Sequence, residues 1–442
     1  MKSLKCMEVL QRDKKVLAPC QHVSYFPLVV EKGEQDFIRD IDGNRYIDFF
    51  SSASALNIGN NHPIIENAIM EQAKECIQYS PAYIYNVPMV TYAEKLTSVY
   101  PGNIEAKIWF GNSGSDANDA AIKFCRAYTK RSKIITFINA YHGSTFGSSS
   151  LSACSPKMHN NMGPFLSDIY HFHFWGELDI EKKPVDYLAE LKEAFNTYLN
   201  PFEVAAVIIE PLQGDGGMNM ALPEFITQLY DLCHKYGILF ISDEVQQAFF
   251  RNKFWFSIEN FHIIPDGIVL GKTIGGGIPL SAFMARKEIM DTLPPIAHTF
   301  TLGGGPLACK AGIAQFDYMC SEHFQKILHR NENCLASEIS MITQKSHSII
   351  GNVSGSGMSY GIHIIDKETK RPNNIDTFKI VFRCYEYGLL LLSVFGNVLR
   401  IQPPLNIKKE NLKRGFEIID KAILDVEKGL VPDEVLKHNH GW

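Results

Sequence analysis

The 442-residue chain has no run of 18 apolar residues, no CxxC pair, no internal repeat and no excess of basic charge. Each absence removes a class of protein. Without a long apolar run there is no helix to cross a bilayer. A net charge of -5 leaves no electropositive footprint for nucleic acid. The ten cysteines are scattered, with neither metal-ligand nor disulfide-framework spacing, and read as buried reduced thiols in a cytosolic protein. The opening MKSLKCMEVLQRDKK lacks the uninterrupted apolar core of a signal peptide, so a cytoplasmic location is expected. GxGxxG and a Walker lysine are missing as well, which weakens dinucleotide and P-loop readings. No His/Cys/Asp/Glu spacing suggests a metal site.

What remains is a globular chain with 45% apolar residues, long enough for two or three domains or one large domain with an appendage. Asp42-Gly-Asn-Arg-Tyr-Ile-Asp reads as a hairpin turn entering a strand. From about residue 105 to 310, apolar runs alternate with helical periods. Lys107-Ile-Trp-Phe leads through a Gly/Ser/Asn turn into a helix with Ala117, Ala120, Ala121, Phe124, Cys125 and Tyr128 on one face. Lys133-Ile-Ile-Thr-Phe is strand-like. Val204-Ala-Ala-Val-Ile-Ile is apolar throughout, as in a strand covered on both faces. Pro223 opens a helix and Gly237 ends it. These proportions predict βαβ units and a largely parallel sheet. Beyond residue 311, helical stretches at 310–345 and 375–387 bracket strand candidates at 359–365, 389–394 and 397–401. The expected organisation is an N-terminal segment 1–60 contributing to a small domain, a large domain 61–310, and the small α+β domain 311–442.

Two apolar runs end in chemistry. Gly237-Ile-Leu-Phe-Ile-Ser closes on Asp243-Glu244, and Asp266-Gly-Ile-Val-Leu-Gly closes on Lys272. A buried amine can form a Schiff base with an aldehyde cofactor, and a buried carboxylate can keep a pyridine nitrogen protonated; this is the pairing that pyridoxal 5'-phosphate (PLP) needs. Taken alone, Asp243 also fits a nucleotide-metal ligand or an ion pair, and Lys272 a solvated surface lysine. Gly111-Asn-Ser-Gly-Ser-Asp116, between a strand and a helix, offers backbone N–H groups and a helix dipole to a phosphate. Tyr141-His142-Gly143 offers an aromatic that could stack on a flat ring or simply pack. Glu210-Pro-Leu-Gln-Gly-Asp-Gly-Gly217 places two acids where ligands bind in such sheets, or makes a plain glycine turn.

These pieces, in this order, resemble the class III aminotransferase family of fold-type-I PLP enzymes over residues 20 to 430. The resemblance rests above all on Ile238-Leu-Phe-Ile-Ser-Asp-Glu-Val-Gln246, Pro265-Asp266, Gly271-Lys272 and Pro279-Leu-Ser. It implies an α/β fold of the PLP-dependent transferase type, with a large domain built on a mostly parallel mixed sheet flanked by helices and a smaller α+β domain. Residue by residue it implies that Lys272 attaches the cofactor, Asp243 pairs with its ring nitrogen, Gln246 meets its phenolic oxygen and Tyr141 stacks on its ring. Gly114 and Ser115 would bind the phosphate, together with Thr301 from the neighbouring subunit. The resemblance therefore also implies a homodimer, or a tetramer of dimers, with composite active sites.

Within the family the chain is similar to the 4-aminobutyrate aminotransferase branch, with informative departures. That branch has an arginine after the His-Gly of the stacking motif, gripping a far carboxylate of the substrate; here the residue is Ser144. Losing such a clamp removes a contact of about 1.5–3 kcal/mol. The branch's glutamate in Gln-Gly-Glu-Gly-Gly is Asp215 here, and the arginine it faces corresponds to Arg400. Gly305 and Ala248 also depart from the usual residues. Gly111–Asp119, Tyr79–Tyr83, Tyr141–Thr145, Gln213–Gly217, Arg400–Pro404 and the terminal Gly441-Trp442 resemble amino-acid racemases and 2-epimerases built on this fold. The resemblance implies Cα deprotonation of an apolar, isoleucine-like α-amino acid by Lys272, with Asp215 or a water it holds supplying the opposite face. Arg400 would take the α-carboxylate or pair with Asp215, and Tyr83 and Ser54 would shape the side-chain pocket. An aminotransferase using 2-oxoglutarate or pyruvate remains the alternative, and a PLP-binding protein without turnover a third.

Overall fold

The computed structural model describes residues 4–175, 186–438 and 441; Trp442, part of the terminal likeness, lies outside them. The chain divides into two compact units, Ile64–Tyr318 and Met1–Pro63 with Met319–Trp442.

The Ile64–Tyr318 unit is built on a seven-stranded sheet. Its order is Ala106–Gly111, Ser281–Arg286, Gly267–Leu270, Leu239–Asp243, Val204–Ile209, Lys133–Phe137 and Ile169–Phe172. Ser281–Arg286 runs antiparallel to both neighbours, and the pairs described on the far side of Gly267–Leu270 are all parallel. Every residue of Val204–Ile209 and Leu239–Asp243 is buried, as their unbroken apolar sequences require. Pro223 begins the helix Pro223–Tyr236, and Gly237, at φ 63°, ends it in a left-handed cap. The helix Gly114–Thr129 packs Ala117, Ala120, Ala121, Phe124 and Cys125 against Ile134, Ala206, Ile241 and Phe283. Tyr128, expected on that face, is instead exposed. It lies in the last turn, just before left-handed Lys130, where the helix reaches solvent.

In the second unit, Val30–Glu34, Phe37–Asp40 and Arg45–Asp48 form an antiparallel meander, with Leu389–Leu390 added in parallel. The turn at Asp42-Gly43-Asn44 is held by the Asp40 carboxylate, which accepts from the Asp42 and Asn44 N–H groups at 3.0 and 2.8 Å. A second antiparallel sheet has the order Ile350–Ser356, Ser359–Ile364, Val398–Ile401, Leu392–Val394. Ile350–Ser356 was not anticipated. Its sequence, IGNVSGS, is poor in strand formers, and its pairing comes from the neighbouring strand. The 310–345 helical stretch is two helices, Pro306–Cys320, which lies almost wholly in the Ile64–Tyr318 unit, and Glu322–Gln344 in this one, parted at Ser321, whose hydroxyl caps the second by accepting from Phe324 N–H. Ser51–Ser54 forms a left-handed turn with φ between 49° and 67° at four consecutive non-glycine residues.

Candidate functional site

The two apolar runs that end in Asp243 and Lys272 become adjacent parallel strands. Asp243 registers opposite Val269, so Lys272 follows three residues past that partner, beyond the same end of the sheet. Lys272 is half-buried and holds φ 48°, a conformation that a long L side chain rarely adopts. Such strain persists only where the surroundings impose it. The preceding Gly271 is closely packed: a Cβ there would lie 3.1 Å from Val245 and 3.3 Å from the Gly114 backbone.

Asp243 is buried in a set of donors. Its Oδ2 accepts from Asn118 Nδ2 at 2.8 Å and pairs with His142 Nδ1 at 2.6 Å, and its Oδ1 accepts from the Val245 N–H at 3.0 Å. His142 Nε2 lies 3.1 Å from Thr136 Oγ1, and that hydroxyl donates to the Leu151 carbonyl at 3.2 Å. The Leu151 oxygen can take the threonine proton, and Thr136 Oγ1 then accepts from His142 Nε2 when the ring is protonated. In that state both ring nitrogens of His142 donate and the ring is charged. Burial opposes that charge, yet the Asp243 hydrogen bond, with the Asp243 and Glu210 charges, lifts the His142 pKa above its usual value.

Glu210 follows the Val204–Ile209 strand and braces two loops. Its Oε1 accepts from the Tyr141 N–H at 2.8 Å and its Oε2 from the Gly214 N–H at 3.1 Å. Burial pushes its pKa up to about 7. Glu244 is pushed up equally by burial, but it accepts from Ser242 Oγ, Ser257 N–H and Oγ, and Ile258 N–H, which makes it a structural brace. Gln246 is buried. A Cβ on Gly214 would fall 1.9 Å from its Oε1, so any side chain there would displace the Gln246 amide. Tyr141 Oη lies 3.2 Å from Ser144 Oγ, and the Ser144 N–H donates to Ser115 Oγ at 3.0 Å.

The start of the helix Gly114–Thr129 is shaped by a capping box. Ser113 Oγ accepts from Asp116 N–H, and the Asp116 carboxylate accepts from Asn112 and Ser113 N–H. The box leaves the Gly114 and Ser115 N–H groups at the positive end of a 16-residue helix. A Cβ on Gly114 would lie 2.8 Å from Val245, so bare backbone is needed there too.

One unit thus contains Gly114, Ser115, Tyr141, Ser144, Asp215, Asp243, Gln246, Lys272, Thr301 and Tyr83. Asp215 is half-buried, and Thr301 and Tyr83 are exposed. Arg400 and Ser54 belong to the other unit. There Arg400 is buried within Val398–Ile401, its guanidinium 5.5 Å from the Phe50 ring centre, and Ser54 is buried. Asn118, His142 and Glu210 had no individual role in the sequence reading. Asn118 had a usable signal, since it lies one helical turn after Gly114. The pairing of His142 with Asp243 spans 101 residues and has no local signal.

The donor set fits PLP. A helix N-terminus suits its phosphate, an amine at a strained backbone position suits its aldehyde, and Asp243 Oδ1, with one backbone donor among the described residues, retains a lone pair for a ring N–H. The chain belongs to the class III aminotransferase family, whose model matches residues 19–423. Its cofactor is PLP. It is 37% identical over 449 residues to the isoleucine 2-epimerase of Lentilactobacillus buchneri, covering 99% of each chain. It is 37% identical over 443 residues to the leucine/methionine racemase of Thermococcus litoralis, covering 98% of this chain and 99% of that one. The PLP-bound crystal structure of an amine transaminase from an uncultivated Pseudomonas species superposes with a TM-score of 0.83 at 26% identity, over 92% of this chain and 96% of that one.

Proposed function

We propose that the protein is a PLP-dependent racemase or 2-epimerase of apolar α-amino acids, acting in the cytoplasm as a homodimer or tetramer. The observation that carries this reading is identity along the whole chain to two proteins named for inverting an amino-acid α-carbon. Ser144 supports it, because a short neutral hydroxyl bonded to Tyr141 offers no charge to a second substrate carboxylate.

Bound PLP supplies an electron sink for the charge left on the α-carbon. The chain's own residues do the rest. Gly114 and Ser115, with a neighbouring subunit's Thr301, hold the phosphate, and Tyr141 and Gln246 seat the ring. Asp243, fixed by Asn118 and His142, keeps the ring nitrogen protonated. Lys272 would attach the cofactor, and its free amine would act as general base at the substrate α-carbon. Inversion needs a proton donor on the opposite face, and Asp215 or a water it holds is assigned that role. Arg400 is assigned the substrate α-carboxylate, and Tyr83 and Ser54 the side-chain pocket.

Proton NMR of L-isoleucine with the PLP-loaded protein and no keto acid tests the reading. Catalytic appearance of D-allo-isoleucine supports it. Keto acid formed only when 2-oxoglutarate or pyruvate is supplied would make the protein an aminotransferase instead, an outcome that the shared family keeps open. Lys272→Ala is expected to abolish the visible absorbance of the lysine-bound cofactor and all turnover, and a surviving band would reassign the lysine. Asp215→Asn is expected to slow inversion at least tenfold more than exchange of the α-proton into deuterated water, and equal losses would remove it as the second acid.

A further inference from the structure

The loop 291–305, between the helical turn Lys287–Met290 and the helix Pro306–Cys320, carries the exposed Thr301. An exposed side chain on a loop keeps one position only where the backbone around it is tied down, since ordering that backbone costs entropy. Here it is tied on both sides, by groups of the same Ile64–Tyr318 unit. Before Thr301, Trp109 donates its Nε1–H to the His298 carbonyl at 2.7 Å. The indole centre also lies 4.5 Å from the His298 ring and 5.4 Å from the Phe300 ring, and those two rings meet edge-on at 5.1 Å. One residue before His298, the Ala297 carbonyl accepts from Lys123 Nζ at 3.1 Å. After Thr301, the Leu302 carbonyl accepts from Gln78 Nε2 at 3.3 Å. Gly303 then lies so close to Phe110 that a Cβ there would fall 2.5 Å from the Phe110 carbonyl oxygen.

We propose that Trp109 is a positioning residue for the phosphate site of the neighbouring subunit, because it fixes the loop backbone from which Thr301 reaches that phosphate. The proposal rests on the shared-site reading above. Trp109 belongs to the strand Ala106–Gly111, which leads into the Gly114–Ser115 turn of its own subunit, and a Cβ on Gly111 would lie 2.6 Å from the indole. The indole therefore stands beside one phosphate turn while it holds the loop that serves the other. Its single polar hydrogen decides between the two roles: it goes to the loop carbonyl, not to the Gly114–Ser115 turn. The stack of Trp109, His298 and Phe300 adds ring contacts that set the direction in which the loop leaves the strand, one residue before Thr301.

The test is a hybrid dimer. Chains carrying Trp109→Leu and chains carrying Lys272→Ala are co-expressed with different tags, and the mixed dimer is isolated. Its one Lys272 lies in the Trp109→Leu subunit, and the Thr301 that completes that site comes from the subunit whose Trp109 is unchanged. PLP affinity is read from the visible absorbance of the lysine-bound cofactor, which reports that site alone. The Trp109→Leu homodimer is expected to bind PLP about tenfold more weakly than wild type, and the hybrid to return to within about twofold of wild type. A hybrid as weak as the homodimer would mean that Trp109 acts on its own subunit's site, which overturns the proposal, as would a Trp109→Leu homodimer of unchanged affinity. Trp109→Phe keeps a ring against His298 and removes the indole N–H. It is expected to weaken binding about fivefold, restored in the same hybrid, and it carries the test where Trp109→Leu does not fold. Thr301→Val separates the two ideas. Loss of affinity in its homodimer with no rescue in the hybrid would leave the shared site standing and remove Trp109. Unchanged affinity, or a wild type that holds PLP while monomeric by light scattering, would overturn the shared-site reading and the proposal with it.

Discussion

At the scale of single residues, function is written in places where an ordinary side chain does not fit. Lys272 holds a positive φ among close neighbours, and Gly214 exists because Gln246 Oε1 occupies the space of its Cβ. Gly214→Ala is a sharp probe, because the atom in the way is the end of a flexible amide, held by Gln247 Nε2 at 3.0 Å, rather than backbone. The expected result is a displaced Gln246 with global stability changed by less than about 1 kcal/mol, while PLP affinity falls about five- to tenfold, the equivalent of one lost hydrogen bond. Equilibrium unfolding and PLP titration read the two quantities separately. A large stability loss with unchanged affinity would mean that Gln246 does not touch the cofactor. His142 shows what residue-level sequence reading misses: its importance comes from Asp243, which lies 101 positions away.

At the scale of elements, the left-handed turn Ser51–Ser54 is a costly piece of backbone. Left-handed residues other than glycine cost about 1–2 kcal/mol each, and here four stand in succession. The turn is imposed by Asp48, whose Oδ1 accepts from the Phe50 and Ser51 N–H groups at 2.9 and 2.8 Å while its Oδ2 takes Asn60 Nδ2 at 2.9 Å. Asp48→Ala is expected to lower unfolding free energy by about 2–3 kcal/mol, since it strands buried donors. Ser52→Gly, at an exposed position with φ 49°, is expected to raise it by up to about 1 kcal/mol. Denaturant titration checks both signs. Elements with strong local signals, such as Pro223–Tyr236 between proline and glycine, could be read from the sequence. Ile350–Ser356 could not, because its strand character comes from its partner.

At the scale of the molecule, buried acids and surface clusters set opposite pH limits. Glu210 and Glu244 are raised by burial to about 7, so the folded chain binds protons that the unfolded chain has already lost. Their contribution to stability is full below about pH 4.5 and is lost as pH rises toward about 7. In the other unit, His347 bridges Asp420 at 2.8 Å and Glu427 at 3.2 Å, and Lys345 also reaches Asp420. Partial burial works against these two carboxylates, but the hydrogen bonds from Lys345, His347 and Ser348 leave both below their usual values of 3.8 and 4.5. Their contribution is present above those values and is lost as pH falls below them. Thermal midpoints followed from pH 3 to 8 are expected to peak near about pH 5. Glu244→Gln should flatten the neutral side of the curve, and Asp420→Asn the acid side. A wild-type midpoint that does not fall between pH 5 and 7 would contradict the burial of the two glutamates.

The sequence by itself determined the family, the cofactor and the strands that end in Asp243 and Lys272. Those are carried by local patterns: unbroken apolar runs, a proline and a glycine around a helix, and a capped glycine turn. It also determined the candidate side chains, because their chemical types are legible one at a time. Only the tertiary structure decided which of them meet. The register of Leu239–Asp243 on Gly267–Leu270, the clasp of Asn118 and His142 on Asp243, and the bridge from Glu210 to two loops are contacts between distant segments. The energy of such contacts comes from burial and charge among groups that no local window contains, so they are a property of the fold.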